Sequence, residues 1–195
     1  MSISLVAGLG NPGRDYANTR HNLGWVVIEA LALKHGLSWQ TKPGFEAEIA
    51  RWDFAPGCTR WLVKPLTFMN ESGRSVAAVA RYYKLATPEI VAIYDDLNIE
   101  VGLVKVAENG GAGGHNGVSS LLEKLGPDFL RFRVGIGPKQ PAAMDLKDFV
   151  LGKFTTDQSI IIQQKLTHYI EGLELLLTRG ASFAMNQLNR REPNP

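Results

Sequence analysis

The chain has 195 residues, of which 45% are hydrophobic, so it is long enough to bury one core without disulfides or metals. Its only cysteine, Cys58, excludes an internal disulfide and fits a reducing compartment. The net charge of +2 is too small to indicate nucleic-acid binding by itself, so any such surface has to be a local patch.

The amino terminus has no basic flank, and no segment approaches the roughly 20 apolar residues that span a bilayer. We therefore expect a cytoplasmic protein without membrane contact.

The first half of the chain alternates apolar strands with amphipathic helices. The predicted elements are a strand at residues 3–7, a glycine-rich loop at 8–13, a helix at 22–36, two strands near 45–52 and 60–64, and a helix from about 70 to 85.

The second half continues the same alternation. The predicted elements are strands at 90–94, 101–106 and 131–136, a helix at 118–125, a surface loop or lid at 138–148, and a long helix at 156–180. Because the strands near 45–52 and 60–64 join at Pro56-Gly57 as a hairpin, the sheet should be mixed. We expect one three-layer α/β domain over residues 1–190, with a twisted mixed sheet flanked by helices on both faces, and a disordered tail at 191–195.

The loop at 8–13 matches the G-x-G-x-x-G pattern of dinucleotide-binding proteins. That fold needs a helix that begins within the loop and an acidic residue about 20 positions later at the end of a second strand. Here the segment from Arg14 to His21 is polar and irregular, and the acidic candidate, Glu29, lies inside the next helix. The pattern therefore does not predict a nicotinamide or flavin enzyme.

Polar segments follow several of the predicted strands, and the carboxyl ends of parallel strands meet at one edge of a sheet. His21 lies in such a segment, and Asp95 or Asp96 could supply the carboxylate that orients its ring. An ordinary strand-end turn remains an alternative for the two aspartates. No nucleophile elbow and no metal-ligand spacing occur, so the residues alone indicate a histidine-assisted hydrolase that uses water and no metal.

The segment GLGNPGRDYANTRHNLG at residues 8–24 closely resembles the opening motif of bacterial peptidyl-tRNA hydrolases. Further motifs of that family follow in the same order and spacing. They are KPLTFMNESG at 64–73, YDDL at 94–97, GGHNG at 113–117, RFRVGIG at 131–137 and FVLG at 149–152.

The resemblance implies hydrolysis of the ester between a peptide and the 3′ ribose of tRNA, without a cofactor. In the family the counterpart of His21 activates water and that of Asp95 orients it, while the counterparts of Asn11 and Asn70 hold the water and the substrate. The partner is then the acceptor stem and 3′ end of peptidyl-tRNA, and no obligate protein partner is implied for a monomer. The resemblance also implies that the substrate is bound by Tyr16, Phe68, Met69, Asn70, His115 and Asn116.

Two positions depart from the family pattern. Asn98 replaces an acidic residue, and Ala107 replaces a basic residue that pairs with the counterpart of Arg133 on the tRNA 5′ phosphate. Because positions two apart on a strand face the same way, we expect Lys105 to replace the missing cation. Two other functions stay open at this point: a non-catalytic RNA-binding relative on the same scaffold, and a small-molecule esterase with an apolar acyl pocket.

Overall fold

The computed structural model describes residues 2–190, and in them seven strands form a single sheet in the order β2-β3-β4-β1-β5-β7-β6. The strands are β1 (Leu5–Gly8), β2 (Trp39–Lys42), β3 (Ala47–Ala55), β4 (Cys58–Pro65), β5 (Ile90–Glu100), β6 (Val104–Ala107) and β7 (Leu130–Gly137). The helices are α1 (Leu23–Lys34), α2 (Ser72–Tyr82), α3 (Asn116–Leu125), α4 (Leu146–Leu151), α5 (Thr156–Arg179) and α6 (Ala181–Leu188).

The four central strands run parallel to one another. Strand β1 pairs in parallel with β4 and β5, and β5 pairs in parallel with β7. Strands β2, β3 and β6 add antiparallel pairs on the two sides, which confirms the predicted mixed sheet. All four residues of β1 are buried, as expected for a strand covered on both faces. The loops that follow β1, β4 and β5 therefore open at the same edge.

Helices cover both faces of the sheet, which confirms the predicted three-layer α/β architecture. One apolar core joins Leu31 of α1 and Leu173 of α5 to Val6 and Phe132 of the sheet. The other core joins α2 and α3 to the opposite sheet face through Val76, Leu121 and their neighbours. Alternate residues of one strand thus point to different layers, because successive side chains of a strand face opposite ways.

Three elements are absent from the prediction, and β5 continues to Glu100 although the sequence predicts its end at residue 94. Strand β2 is an edge strand with the half-exposed sequence WQTK, so it lacks the apolar alternation that marks a strand. Helix α4 begins near the end of the segment predicted as a loop or lid and continues to Leu151. It has six residues, too few to show helical periodicity, and Asp145 caps it by accepting from the Lys147 amide. Gly180, with a φ of +81°, ends α5 near the predicted position, and α6 follows. The tail predicted at 191–195 lies outside the described residues.

Candidate active site

A cleft of about 1100 Å³ opens where β1 and β4 end, beside the second half of β5. Its walls come from the loops after β1 and β4, residues 94–98 of β5, the glycine-rich segment before α3, and α4. Ligand crevices of open α/β sheets lie at this place, because the connections at the carboxyl ends of the strands diverge there. The side chains that sequence reasoning selected converge on this cleft.

His21 lies in a short 3-10 helix, Arg20–Asn22, that leads into α1. Its Nδ1 is 2.9 Å from Oδ1 and 3.1 Å from Oδ2 of Asp95, and both side chains are buried. An ionised carboxylate only accepts hydrogen bonds, so Nδ1 carries the proton. Nε2 of the neutral ring is then an acceptor, it has no partner among the described residues, and His21 lines the cleft. This atom can take a proton from a water molecule.

The buried carboxylate of Asp95 is the electrostatic centre of the site. Burial by itself would raise the pKa of Asp95, but the adjacent His21 and His115 rings outweigh it and hold that pKa well below its usual range. Asp95 is therefore ionised at neutral pH. Its negative charge stabilises the imidazolium that forms when His21 accepts a proton.

His115 holds Asp95 from the other side. Its Nε2 is 3.0 Å from Asp95 Oδ1, and its Nδ1 accepts hydrogen bonds from the amides of Gly117 at 3.1 Å and Val118 at 3.2 Å. The ring is thus the N-cap of α3, and a neutral ring with its proton on Nε2 satisfies all three contacts. Both ring nitrogens are engaged within the protein. The expected binding of substrate by His115 stays a prediction, and only the face of the ring is left for such a contact.

The same three side chains deserve a test as metal ligands, since one ligand atom from each of His21, Asp95 and His115 lies within 4.8 Å of the others. A metal on His115 Nε2 would move the ring proton to Nδ1. That proton would face the amides of Gly117 and Val118, which already donate to Nδ1. Occupancy would cost the cap of α3, so the donor set suits a proton relay better than a metal.

Asn11 is fixed in the loop after β1 so that its amide group faces the cleft. Its Oδ1 accepts from the Met69 amide at 2.7 Å, which joins the loops after β1 and β4. The side chain of Asn22 binds the main-chain N–H and C=O of Asn11, at 2.8 and 3.0 Å. Nδ2 of Asn11 has no partner among the described residues, so it remains a donor for a ligand. Sequence reasoning gave Asn22 no role, although its place beside His21 was a usable signal.

Comparison with known proteins shows the family to which the chain belongs. The family model described as peptidyl-tRNA hydrolase matches residues 5–195. The peptidyl-tRNA hydrolase of Anaeromyxobacter dehalogenans (strain 2CP-C) is 43% identical over 190 residues, which are 97% of each chain. The chain belongs to the peptidyl-tRNA hydrolase family. The Symbiobacterium thermophilum member is 44% identical over 188 residues, covering 95% of this chain and 98% of its own.

A solved peptidyl-tRNA hydrolase supports the family assignment at the level of the fold. The structure of the Acinetobacter baumannii enzyme superposes with a TM-score of 0.89 at 35% identity, covering 98% of this chain and 97% of its own. Within the described residues of this family member, no helix is long and apolar enough to cross a bilayer.

The remaining side chains expected at a peptidyl-tRNA hydrolase site lie around the same cleft. Asn70 is exposed at its mouth, and Asn116 is the exposed first residue of α3. The rings of Tyr16 and Phe68 meet edge to face, with their centroids 6.2 Å apart. These residues and Met69 line the cleft, and their individual roles stay predictions.

The basic residues expected to bind phosphate lie farther along the sheet. Arg133 of β7 lines the cleft, and its Nε and Nη2 are each 2.8 Å from Oδ2 of Asp96. Lys105 of β6 is the direct cross-strand partner of Arg133, so the two side chains share one face of the sheet. Ala107 is instead the partner of Arg131. The register therefore agrees with the hypothesis that Lys105 replaces the missing cation.

Proposed function

We propose that this chain hydrolyses the ester that joins a peptide to the 3′ ribose of tRNA, which makes it a carboxylic ester hydrolase that recycles peptidyl-tRNA. The observation that carries the proposal is His21, whose Nδ1 is bound to the buried Asp95 and whose Nε2 is open to the cleft. The family assignment supports the choice of substrate, since the matched relatives are named peptidyl-tRNA hydrolase. Such substrates form on ribosomes, so we place the reaction in the cytoplasm.

In the first step His21 Nε2 takes a proton from water while the water oxygen attacks the ester carbonyl carbon. Asp95, which stays ionised, stabilises the resulting imidazolium. In the second step the bond from that carbon to the ribose 3′ oxygen breaks, and His21 returns the proton to the leaving oxygen. The products are a free peptide acid and tRNA with a free 3′ hydroxyl, so atoms and protons balance. No cofactor takes part.

The negative charge that develops on the carbonyl oxygen needs a donor. Asn11 Nδ2 is unpaired among the described residues, and the exposed amide of Asn70 lines the same cleft, so we assign them to the attacking water and the substrate carbonyl. Removal of one such donor costs about 2.7–4 kcal/mol of transition-state stabilisation in other enzymes. The two asparagines therefore account for part of the rate.

The tRNA side of the proposal uses aromatic and basic groups. Tyr16 and Phe68 offer ring faces on which the bases of the 3′ end can stack, and Met69, His115 and Asn116 line the same cleft. Arg133 and Lys105 then contact the 5′ phosphate of the acceptor stem. Contacts at both ends of the stem provide specificity for tRNA over small esters. We further propose that the protein acts as a monomer without an obligate protein partner.

The test is hydrolysis of N-acetyl-aminoacyl-tRNA by the wild type and by His21→Ala, with unblocked aminoacyl-tRNA as a second substrate. We expect rapid cleavage of the blocked substrate only, and nearly complete loss in the variant. A folded wild type that binds tRNA without cleaving it would support the RNA-binding alternative instead. Cleavage of simple esters without any preference for tRNA would support the small-molecule esterase.

A further inference from the structure

Arg20, immediately before His21, is a buried arginine that no step of the mechanism uses; it is 8% exposed. Its Nη1 donates to the main-chain oxygen of Phe149 at 3.2 Å, and its Nη2 donates to Oε1 of Gln158 at 3.1 Å. The guanidinium carbon lies 4.4 Å from the ring centroid of Phe149 and 5.3 Å from that of Phe154. The guanidinium is thus held by hydrogen bonds and by two aromatic rings.

These partners all belong to the segment that closes one side of the cleft. Phe149 is in α4, Gln158 is in the first turn of α5, and Phe154 is in the link between them. Four neighbours of these partners, Leu146, Lys147, Val150 and Leu151, line the cleft. The main chain strengthens the connection, because the amide of Arg20 donates to the Gly152 oxygen at 3.0 Å. Arg20 therefore joins the turn that carries His21 to this wall.

An arginine is the side chain that fits this place. Its planar fork donates in two directions and stacks on aromatic rings at the same time, whereas a lysine ammonium is a compact point charge. Built on Gly152, a Cβ atom would already lie 3.0 Å from Arg20 Nη1, so the fork is closely enclosed. A change that keeps the charge but loses the fork should let the turn shift.

We propose that Arg20 is a positioning residue that sets the placement of His21 against Asp95. The proposal rests on the function proposed above. Displacement of a catalytic group by about 1 Å costs up to about 100-fold in rate, even when the change lies away from the chemistry. Arg20 does not line the cleft, so its loss acts on turnover rather than on substrate affinity.

Arg60 provides a matched control for the loss of a buried arginine. It is 2% exposed, donates to the main-chain oxygens of Ile3 at 3.0 Å and Leu177 at 2.6 Å, and lies 3.5 Å from the ring centroid of Phe54. It belongs to β4 near the start of that strand, at the end of the sheet remote from His21. Substitution of Arg60 should therefore lower the free energy of unfolding in the same way, without moving the turn that carries His21.

The experiment compares Arg20→Lys with Arg60→Lys at a temperature where both are folded. We expect both variants to melt earlier than the wild type, but only Arg20→Lys to lose kcat, by about 10-fold or more with KM within about threefold. The acidic limb of its pH–rate profile should also move. A kcat for Arg20→Lys within twofold of the wild type would overturn the proposal, as would an equal loss of kcat in Arg60→Lys.

A second variant and a second readout complete the test. Gln158→Met leaves Arg20 in place but removes Oε1, which accepts from Arg20 Nη2 and also from the Thr155 amide in the capping box of α5. Thr155→Ala weakens the same cap without contacting Arg20 and is its control. If Arg20→Lys does not fold, this pair decides the matter: we expect a loss of kcat in Gln158→Met smaller than about 10-fold, and an unchanged kcat there, or an equal loss in Thr155→Ala, would refute the proposal. NMR titration of the His21 ring needs no substrate. We expect the chemical shifts of the His21 ring along the titration to differ from those of the wild type in Arg20→Lys but not in Arg60→Lys. This readout tests the positioning role even if the wild type fails to hydrolyse peptidyl-tRNA.

Discussion

Replacing Asp95 by asparagine preserves the shape of the side chain but reverses one of its hydrogen bonds. In the wild type, Oδ1 accepts from His21 Nδ1 at 2.9 Å and from His115 Nε2 at 3.0 Å, and Oδ2 lies 3.1 Å from the same His21 nitrogen. Asparagine can keep its oxygen at the first position. Its NH₂ group then takes the place of Oδ2, 3.1 Å from His21 Nδ1. Two N–H donors would face each other there unless the Nδ1 proton moves to Nε2.

This geometry sets the size of the expected loss of kcat. With the proton on Nε2, His21 presents a donor to the cleft and cannot accept a proton from water. The variant also lacks the negative charge that stabilises the imidazolium. General-base catalysis contributes about 10²- to 10⁴-fold, which is about 2.7–5.4 kcal/mol at 1.36 kcal/mol for each factor of ten. We expect kcat to fall by that factor and KM to stay within about threefold, because Asp95 acts through His21.

The assay is single-turnover hydrolysis of N-acetyl-aminoacyl-tRNA with enzyme in excess, together with KM from steady-state rates. Asp96→Asn is the matched control, because the neighbouring carboxylate binds Arg133 and has no contact with His21. We expect this control to keep kcat and to change KM. A kcat for Asp95→Asn within about threefold of the wild type, or an equal loss of kcat in the two variants, would exclude Asp95 as the group that orients His21.

Three other predictions concern affinity, packing and pH. Lys105→Ala should weaken tRNA binding and lower the slope of log affinity against log salt by about 1; an unchanged affinity would exclude Lys105 from phosphate binding. Gly73→Ala should lower the unfolding free energy by about 1–3 kcal/mol, because the added Cβ would overlap the main-chain oxygen of Ser120 in α3. Gly111→Ala is the control and should cost little, because no atom lies near the added Cβ. Equal melting temperatures of the two variants would contradict this. Because the pKa of Asp95 is lower in the folded than in the unfolded state, where it is about 3.9, the carboxylate stabilises the fold above that value, and this stability is lost as pH falls toward the folded pKa. In urea unfolding, the wild type should therefore lose its advantage over Asp95→Asn below about pH 4. A constant difference in unfolding free energy from pH 7 to 3 would refute this.

Much of the fold follows from local patterns in the sequence. Continuous apolar runs predict the buried parallel strands, and glycine and proline mark the turns between them, so the mixed sheet and its helices were accessible before the structure. The missed elements carry weak local signals. Strand β2 is half exposed, and α4 is shorter than two helical turns, so tertiary contacts rather than propensity decide them.

For the site, the residue types that gather at the edge of the sheet could be predicted from the chain alone, because the carboxyl ends of parallel strands coincide. How each polar group is used depends on contacts between distant parts of the chain. The residues alone left Asp95 and Asp96 as equal candidates; because successive strand residues face opposite ways, the first binds His21 and the second binds Arg133. The tautomer of His115 and the partners of Arg20 likewise depend on groups that are distant in the chain, and such contacts are set by packing rather than by spacing.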